Sequence, residues 1–108
     1  MNLIKIKQLT DEALNLLPIN SYNTFDIDSS RENIRIIWVT DFKKRKLYGI
    51  KIFYSPEFNR IYFYAMISLL EVNHKIKDTN KNVLSGIKFI ECSSIKEAVL
   101  KIKNNVIF

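Results

Sequence analysis

Residues 33–67 decide the fold of this chain, and they read NIRIIWVTDFKKRKLYGIKIFYSPEFNRIYFYAMI. The stretch contains three runs rich in β-branched and aromatic residues, which favour strands: residues 33–40, 47–54 and 60–67. The segments between them are short and polar, and the second contains Pro56 in a turn position. Because short connections join neighbouring antiparallel strands, the three runs predict a meander.

The sequence before the meander predicts a short strand, a helix and a loop. Residues 3–7 alternate apolar and basic side chains and are expected to form a strand. Thr10 is expected to cap a helix that ends just before Pro18. Residues 19–32 are rich in Asn, Ser and Asp, which is typical of a loop.

The sequence after the meander predicts a further strand and a second helix. Residues 84–92 are expected to form the strand, and Ser93 or Ser94 is expected to cap the helix. The apolar residues of that helix share one face: Ile95, Ala98, Val99 and Ile102. Residues 106–108 are expected to close the sheet, whereas residues 66–77 have a spacing that fits a strand or a helix.

The predicted fold class is α+β, with a single antiparallel sheet of four to five strands. Its core is the meander, and the N-terminal and C-terminal helices are expected to pack on one face, because two short helices cannot cover both. The chain has 108 residues, of which 47% are hydrophobic. These values are typical of one globular domain, so we expect residues 1–108 to form a single domain.

The overall charge and the cysteine content limit the kind of partner and compartment. A formal net charge of +6 favours an acidic protein surface or a polyanion as the partner. A single cysteine, Cys92, excludes an intramolecular disulfide and is typical of a reducing compartment. The N-terminus lacks the apolar core of a signal peptide, and no apolar run is long enough to span a membrane. We therefore expect a cytoplasmic protein without a membrane partner.

Most of the excess positive charge lies in residues 41–64, where aromatic residues are interleaved with basic ones. The acidic residues of this segment are Asp41 and Glu57, and its basic residues are Lys43, Lys44, Arg45, Lys46, Lys51 and Arg60. Basic groups bind phosphates or carboxylates, and aromatic rings stack on bases or fill the pocket of a protein partner. This segment is therefore the predicted working surface.

Side-chain alternation along the strands divides this segment between two faces of the sheet. If the purely apolar sets face the helices, the uncovered face carries Arg35, Ile37, Lys51, Phe53, Arg60, Tyr62 and Tyr64. Trp38, Tyr48 and Phe63 are expected in the core. The turn is expected at the edge of the uncovered face, so the predicted partner-binding residues are Lys43, Lys44, Arg45, Lys46, Lys51, Phe53, Arg60, Tyr62 and Tyr64.

Three hypotheses explain such a face. The first is a small protein-binding module that acts by occlusion, as inhibitors and toxin-neutralising immunity proteins do; its partner would be a toxin or enzyme with an acidic surface. The second is a domain that binds single-stranded nucleic acid by stacking bases on the rings. The third is a homodimer that buries the face.

The sequence offers few groups for catalysis, so we expect no enzymatic activity, no cofactor and no metal site. His74 is the single histidine, which excludes a histidine-rich metal centre. Cys92 precedes a helix and would need His74 as its base, but a buried structural role is the expectation for this thiol. Asp26 and Asp28 form an acidic pair in the predicted loop and have no matching second site.

Overall fold

The computed structural model describes residues 2–17, 23–43, 45–68 and 86–105. Its elements, in chain order, are α1 (Asn2–Leu16), β1 (Asn23–Arg31), β2 (Ile34–Asp41), β3 (Lys46–Ser55), β4 (Arg60–Ser68), β5 (Ile87–Cys92) and α2 (Ile95–Lys103). Several predictions fall outside the described residues: the closing strand 106–108, the assignment of residues 69–77, the first residues of the strand 84–92, and the placements of Pro18, Lys44 and His74.

The five strands form one antiparallel sheet in the order β1-β2-β3-β4-β5. Each strand pairs with the next one along the chain, so the sheet is a meander, and the helices lie at the two ends of the described chain. The predicted α+β class is confirmed. The three strand runs of residues 33–67 each form a strand, with boundaries shifted by one residue or less at every end.

The N-terminal part differs from the prediction, because residues 3–7 and Thr10 belong to one continuous helix. Alternation over five residues was misleading there, since the longer apolar stripe that includes Ile6, Ala13 and Leu17 has helical spacing and is buried. Thr10 is not an N-cap. It lies inside α1, where its hydroxyl donates to the carbonyl oxygen of Ile6 at 2.8 Å.

Strand β1 occupies residues that were predicted to be a loop. Its composition is unfavourable for a strand, but Phe25 and Ile27 alternate with Asp26 and Asp28, which is the pattern of a strand with one polar face. Pairing with β2 satisfies the backbone groups of β1 that point toward β2, and the register shifts between Asp28 and Arg31. A strand at the edge of a sheet needs less apolar surface than a central one, which explains how so polar a segment is accommodated.

The helix face of the sheet, defined as the face on which α1 and α2 pack, contains the main core. Both helices contact β3, and their apolar residues pack against buried strand residues such as Ile37, Ile50 and Ala65. Tyr48 is buried in this core, and Phe63 packs against it. Ser94 caps α2 as predicted, because its hydroxyl accepts a hydrogen bond from the backbone N–H of Glu97 at 3.1 Å.

The second face, opposite the helix face, contains a smaller buried cluster of Trp38, Leu47, Met66 and Ile87. The prediction for β2 was therefore wrong in its choice of face. Ile37 is fully buried on the helix face, and Trp38 lies on the second face. Arg35 shares the side of Ile37 and donates from Nη1 to the carbonyl oxygens of Arg31 and Ile34.

Candidate binding surface on the second face

Four aromatic rings and two cations lie together on the second face, where they form what we call the ring cluster: Lys51, Phe53, Arg60, Tyr62, Tyr64 and Phe89. The rings of Phe53 and Tyr62 are stacked, with centroids 6.1 Å apart and an interplanar angle of 23°. Tyr64 and Phe89 meet edge to face at 6.4 Å. Both arrangements are favourable for aromatic pairs.

Strand register produces this arrangement. Phe53 of β3 pairs directly with Tyr62 of β4, and Lys51 pairs with Tyr64. Directly paired residues of an antiparallel sheet project to the same side, and their side chains are close enough to touch. Phe89 reaches Tyr64 from β5, where it pairs with Met66, the next residue on the same side of β4. Three adjacent strands therefore supply the cluster.

The two cations lie over the rings. Lys51 Nζ is 5.8 Å from the ring centroid of Phe53, 5.9 Å from that of Tyr64 and 5.8 Å from that of Phe89. Arg60 Cζ lies 4.9 Å from the ring centroid of Tyr62. All these distances are within the range of cation–π attraction. Neither Lys51 nor Arg60 makes an ion pair with any residue that the structure describes.

Sequence reasoning placed five of these six residues on one face, and it missed Phe89. The structure brings together Lys51, Phe53, Arg60, Tyr62 and Tyr64, all of which were predicted from the alternation within β3 and β4. Phe89 is 47% exposed, so it is among the more accessible rings of the described chain. Its signal was the alternation of Ile87, Phe89 and Glu91 in the last strand, but both sides of that strand contain apolar residues.

The basic turn does not join the ring cluster. Lys46 pairs with Asp41 at one end of β3, whereas Arg60 pairs with Ser55 at the other end. Lys46 and Lys51 are five residues apart on one strand, or about 17 Å at the usual rise per residue. The predicted residues Lys43, Arg45 and Lys46 therefore lie at the far end of the sheet, and Lys44 lies outside the described residues.

Acidic side chains border the ring cluster on both sides. Glu91 of β5 pairs directly with Tyr64, and Asp28 of β1 pairs with Ile36 of β2. The carboxylate of Asp28 accepts a hydrogen bond from the backbone N–H of Ser30 at 3.0 Å. This hydrogen bond is the main reason why the pKa of Asp28 is lowered, and the nearby charge of Arg31 adds to the effect.

A groove of about 360 Å³ lies between β1 and the ring cluster. Its apolar lining comes from Ile34, Ile36, Trp38 and Met66, and it shares Lys51 and Phe89 with the ring cluster. The volume is at the small end of the range of ligand pockets, about 300–1,000 Å³.

Two polar atoms toward the β1 edge of the second face are buried without a hydrogen-bond partner among the described residues. They are Oδ2 of Asp26 and Oγ1 of Thr40. The Thr40 side chain is only 1% exposed. A buried hydroxyl without a partner loses its hydrogen bonds to water and gains none in return, so we expect the Thr40 hydroxyl to reduce the stability of the folded chain.

Those residues considered for catalysis that the structure describes are not assembled into a site. Cys92 is buried on the helix face, and burial raises the pKa of its thiol, which disfavours the reactive thiolate. Asp26 and Asp28 lie on β1. Within the described ranges, no three His, Cys, Asp or Glu side chains are grouped so that they could hold a metal ion.

The chain matches no protein-family model, no curated protein and no solved structure. Neither of the described helices has the length and the apolar character needed to cross a bilayer. Function is therefore inferred from the chemistry of the second face.

Proposed function

We propose that this chain is a small, non-enzymatic protein-binding module that acts by occlusion, in the manner of an inhibitor or a toxin-neutralising immunity protein. The observation that supports this proposal is the ring cluster itself. Tyrosine, phenylalanine and arginine are enriched at protein interfaces, and tyrosine and arginine are also enriched among the residues that contribute most to binding. Here Tyr62, Tyr64 and Arg60 stand together on a sheet face with Phe53 and Phe89.

The rings of the cluster are held in place before a partner arrives. Phe53 and Tyr62 are each half-buried and stack on each other, and Lys51 lies at nearly equal distances from three rings. A surface whose side chains are already ordered loses less conformational entropy on binding. This order suits a rigid surface that fits a preformed cleft.

The distribution of charge favours a protein over a nucleic acid as the partner. A strand of nucleic acid crossing the ring cluster would pass Glu91 on β5 and Asp28 on β1, and both carboxylates would repel its phosphates. The basic turn at Lys43, Arg45 and Lys46 lies too far along the sheet to compensate. A protein partner can place a cation opposite each acid and a carboxylate opposite each base.

The test is affinity capture with the tagged chain, performed with and without nuclease and with two variants. Tyr62→Ala removes a ring from the cluster, whereas Phe58→Ala removes an exposed ring from the turn between β3 and β4. The proposal predicts a specific protein that is retained after nuclease treatment, is lost with Tyr62→Ala, and is retained with Phe58→Ala. The products of neighbouring genes are the first candidates, because immunity proteins are encoded beside the proteins that they neutralise.

Other outcomes of the same experiment would contradict the proposal. Capture that disappears on nuclease treatment would favour the single-stranded nucleic-acid hypothesis, and that binding would weaken steeply with salt. The capture could also recover only the untagged chain. If sedimentation then shows a dimer, and Tyr62→Ala dissociates that dimer, the ring cluster is a homodimer interface. An identified partner whose activity is unchanged by saturating amounts of the chain would exclude occlusion.

A further inference from the structure

The residues that line the groove beside the ring cluster indicate which kind of group binds there. Its lining includes the aliphatic side chains of Ile34 and Ile36 and the buried indole of Trp38. Such a lining favours an apolar side chain, because each buried methylene contributes favourably to binding and no polar group of the guest is left without a partner. A volume of about 360 Å³ accommodates a large apolar side chain together with part of its backbone.

The charges at the rim of the groove are not balanced. Asp28 is the acidic residue of the lining, and its carboxylate already accepts the Ser30 N–H and lies near the charge of Arg31. Lys51 is held by ring contacts alone and has no carboxylate partner among the described residues. Among the described residues, the lining therefore has two cations, Arg31 and Lys51, against the single carboxylate of Asp28, and this excess of positive charge favours an anionic group on the occupant.

We propose that the groove receives an apolar side chain of the protein partner that is flanked by a carboxylate, with the apolar group on Ile34, Ile36 and Trp38 and the carboxylate against Lys51. The inference rests on the proposed function, because it describes the partner of the same face. It also gives the positive charge of the chain a role, since a net charge of +6 favours encounter with an acidic surface.

Three capped peptides test the inference with defined probes: acetyl-Gly-Glu-Leu-Glu-Gly-amide, its Lys-Leu-Lys counterpart, and a Glu-Ser-Glu peptide that lacks the apolar anchor. Each is titrated at millimolar concentrations into isotope-labelled chain and followed by NMR. The signals to follow are the Trp38 indole, which is the only indole of the chain, and the amides of Ile36 and Lys51. The Glu-Leu-Glu peptide is expected to shift these signals, and the other two are expected to leave them in place.

Two charge variants identify the cation. Lys51→Gln is expected to weaken binding of the Glu-Leu-Glu peptide by about two- to fivefold, the range for a solvent-exposed charge pair. Lys88→Gln removes the same charge from an exposed position of β5 that pairs with Ile67, a residue of the helix-face core, and is expected to have no effect. Heteronuclear spectra of each variant report whether its fold is intact.

The inference is overturned if the Lys-Leu-Lys peptide shifts the groove signals as strongly as the acidic one, or if no peptide shifts them. It is also overturned if Lys51→Gln and Lys88→Gln behave alike. The proposed function would still be supported after such results if affinity capture of the protein partner depends on Tyr62. Conversely, binding of the acidic peptide to the groove would survive Tyr62→Ala, because Tyr62 does not line the groove, so the two proposals fail independently.

Discussion

The substitution Gly49→Ala tests whether close packing on the second face depends on the absence of a side chain at this position. Gly49 lies in the middle of β3, between Trp38 of β2 and Met66 of β4. A Cβ atom there would lie 3.3 Å from each of three atoms: the Ile37 carbonyl oxygen, Met66 Sδ and Trp38 Cε3. Real Cβ atoms rarely approach their neighbours this closely, so the neighbouring atoms must move by a few tenths of an ångström to accept the methyl group.

The expected loss of stability follows from what these neighbours can do. The Ile37 oxygen belongs to the β2 backbone and cannot withdraw, and the indole of Trp38 is only 4% exposed. Overpacking of this kind costs about 1–3 kcal/mol. Replacing glycine also restricts the unfolded chain, which offsets about 0.4–1 kcal/mol. We expect a net destabilisation of about 1 kcal/mol, or a lowering of the melting temperature by about 4 °C.

Denaturant unfolding followed by Trp38 fluorescence and by circular dichroism measures this change. Of the two neighbouring side chains, that of Met66 is more adaptable than that of Trp38, so the cost of Gly49→Ala should fall in a Met66→Ala background. A Gly49→Ala variant that is more stable than the original chain would refute the reasoning. Such a result would mean that the methyl group fits without strain, so that only the restriction of the unfolded chain changes the stability. Additive effects of the two substitutions would also contradict it.

Three further predictions concern single buried groups. Thr40→Val should raise the free energy of unfolding by about 1 kcal/mol, because it removes a hydroxyl that has no partner among the described residues; a loss of stability in denaturant titrations would contradict this. Tyr48→Phe should cost about 1 kcal/mol, since the phenol donates to the Asn105 carbonyl oxygen at 3.1 Å. Burial first, and then the Asp41 carboxylate, raises the pKa of Tyr48 above 10.0. The protonated phenol of Tyr48 therefore stabilises the fold below pH 10, and this contribution is lost as the pH rises through the raised pKa. The free energies of unfolding of the original chain and of Tyr48→Phe, plotted against pH, should therefore converge at alkaline pH. Parallel plots would contradict this role of Tyr48. Cys92 should react with a chromogenic disulfide reagent only after denaturation, because it is 6% exposed and its pKa is raised, and rapid reaction of the folded chain would contradict its burial.

The meander was predictable from sequence because its strands are dense in β-branched and aromatic residues and are separated by short polar turns. The same reasoning failed where composition and tertiary context disagree. Strand β1 is rich in Asp and Ser and is supported by pairing with β2, which no local pattern reports. The N-terminal helix was misread at residues 3–7, because a strand period and a helix period are hard to distinguish over so few positions.

The ring cluster was largely predictable, and the reason lies in the two strands that form most of it. In β3 and β4 a purely apolar set alternates with a mixed one, so the face of Lys51, Phe53 and Tyr62 follows from parity. In residues 34–39 of β2 both sets are apolar except for Arg35, and Ile37 was consequently placed on the wrong face. The groove depends on that strand, since Ile36 and Trp38 line it, and it was therefore not foreseen.

The most direct test of the ring cluster as the binding surface is to measure the affinity of the captured partner for variants of the cluster. Calorimetric titration of nuclease-treated partner should show that Tyr62→Ala weakens binding by about tenfold or more, which corresponds to about 1.4 kcal/mol and is typical of a central interface residue. Phe58→Ala, which removes a ring that is 66% exposed outside the cluster, should change the affinity by less than about twofold. Equal affinities for the original chain and Tyr62→Ala would contradict the proposal.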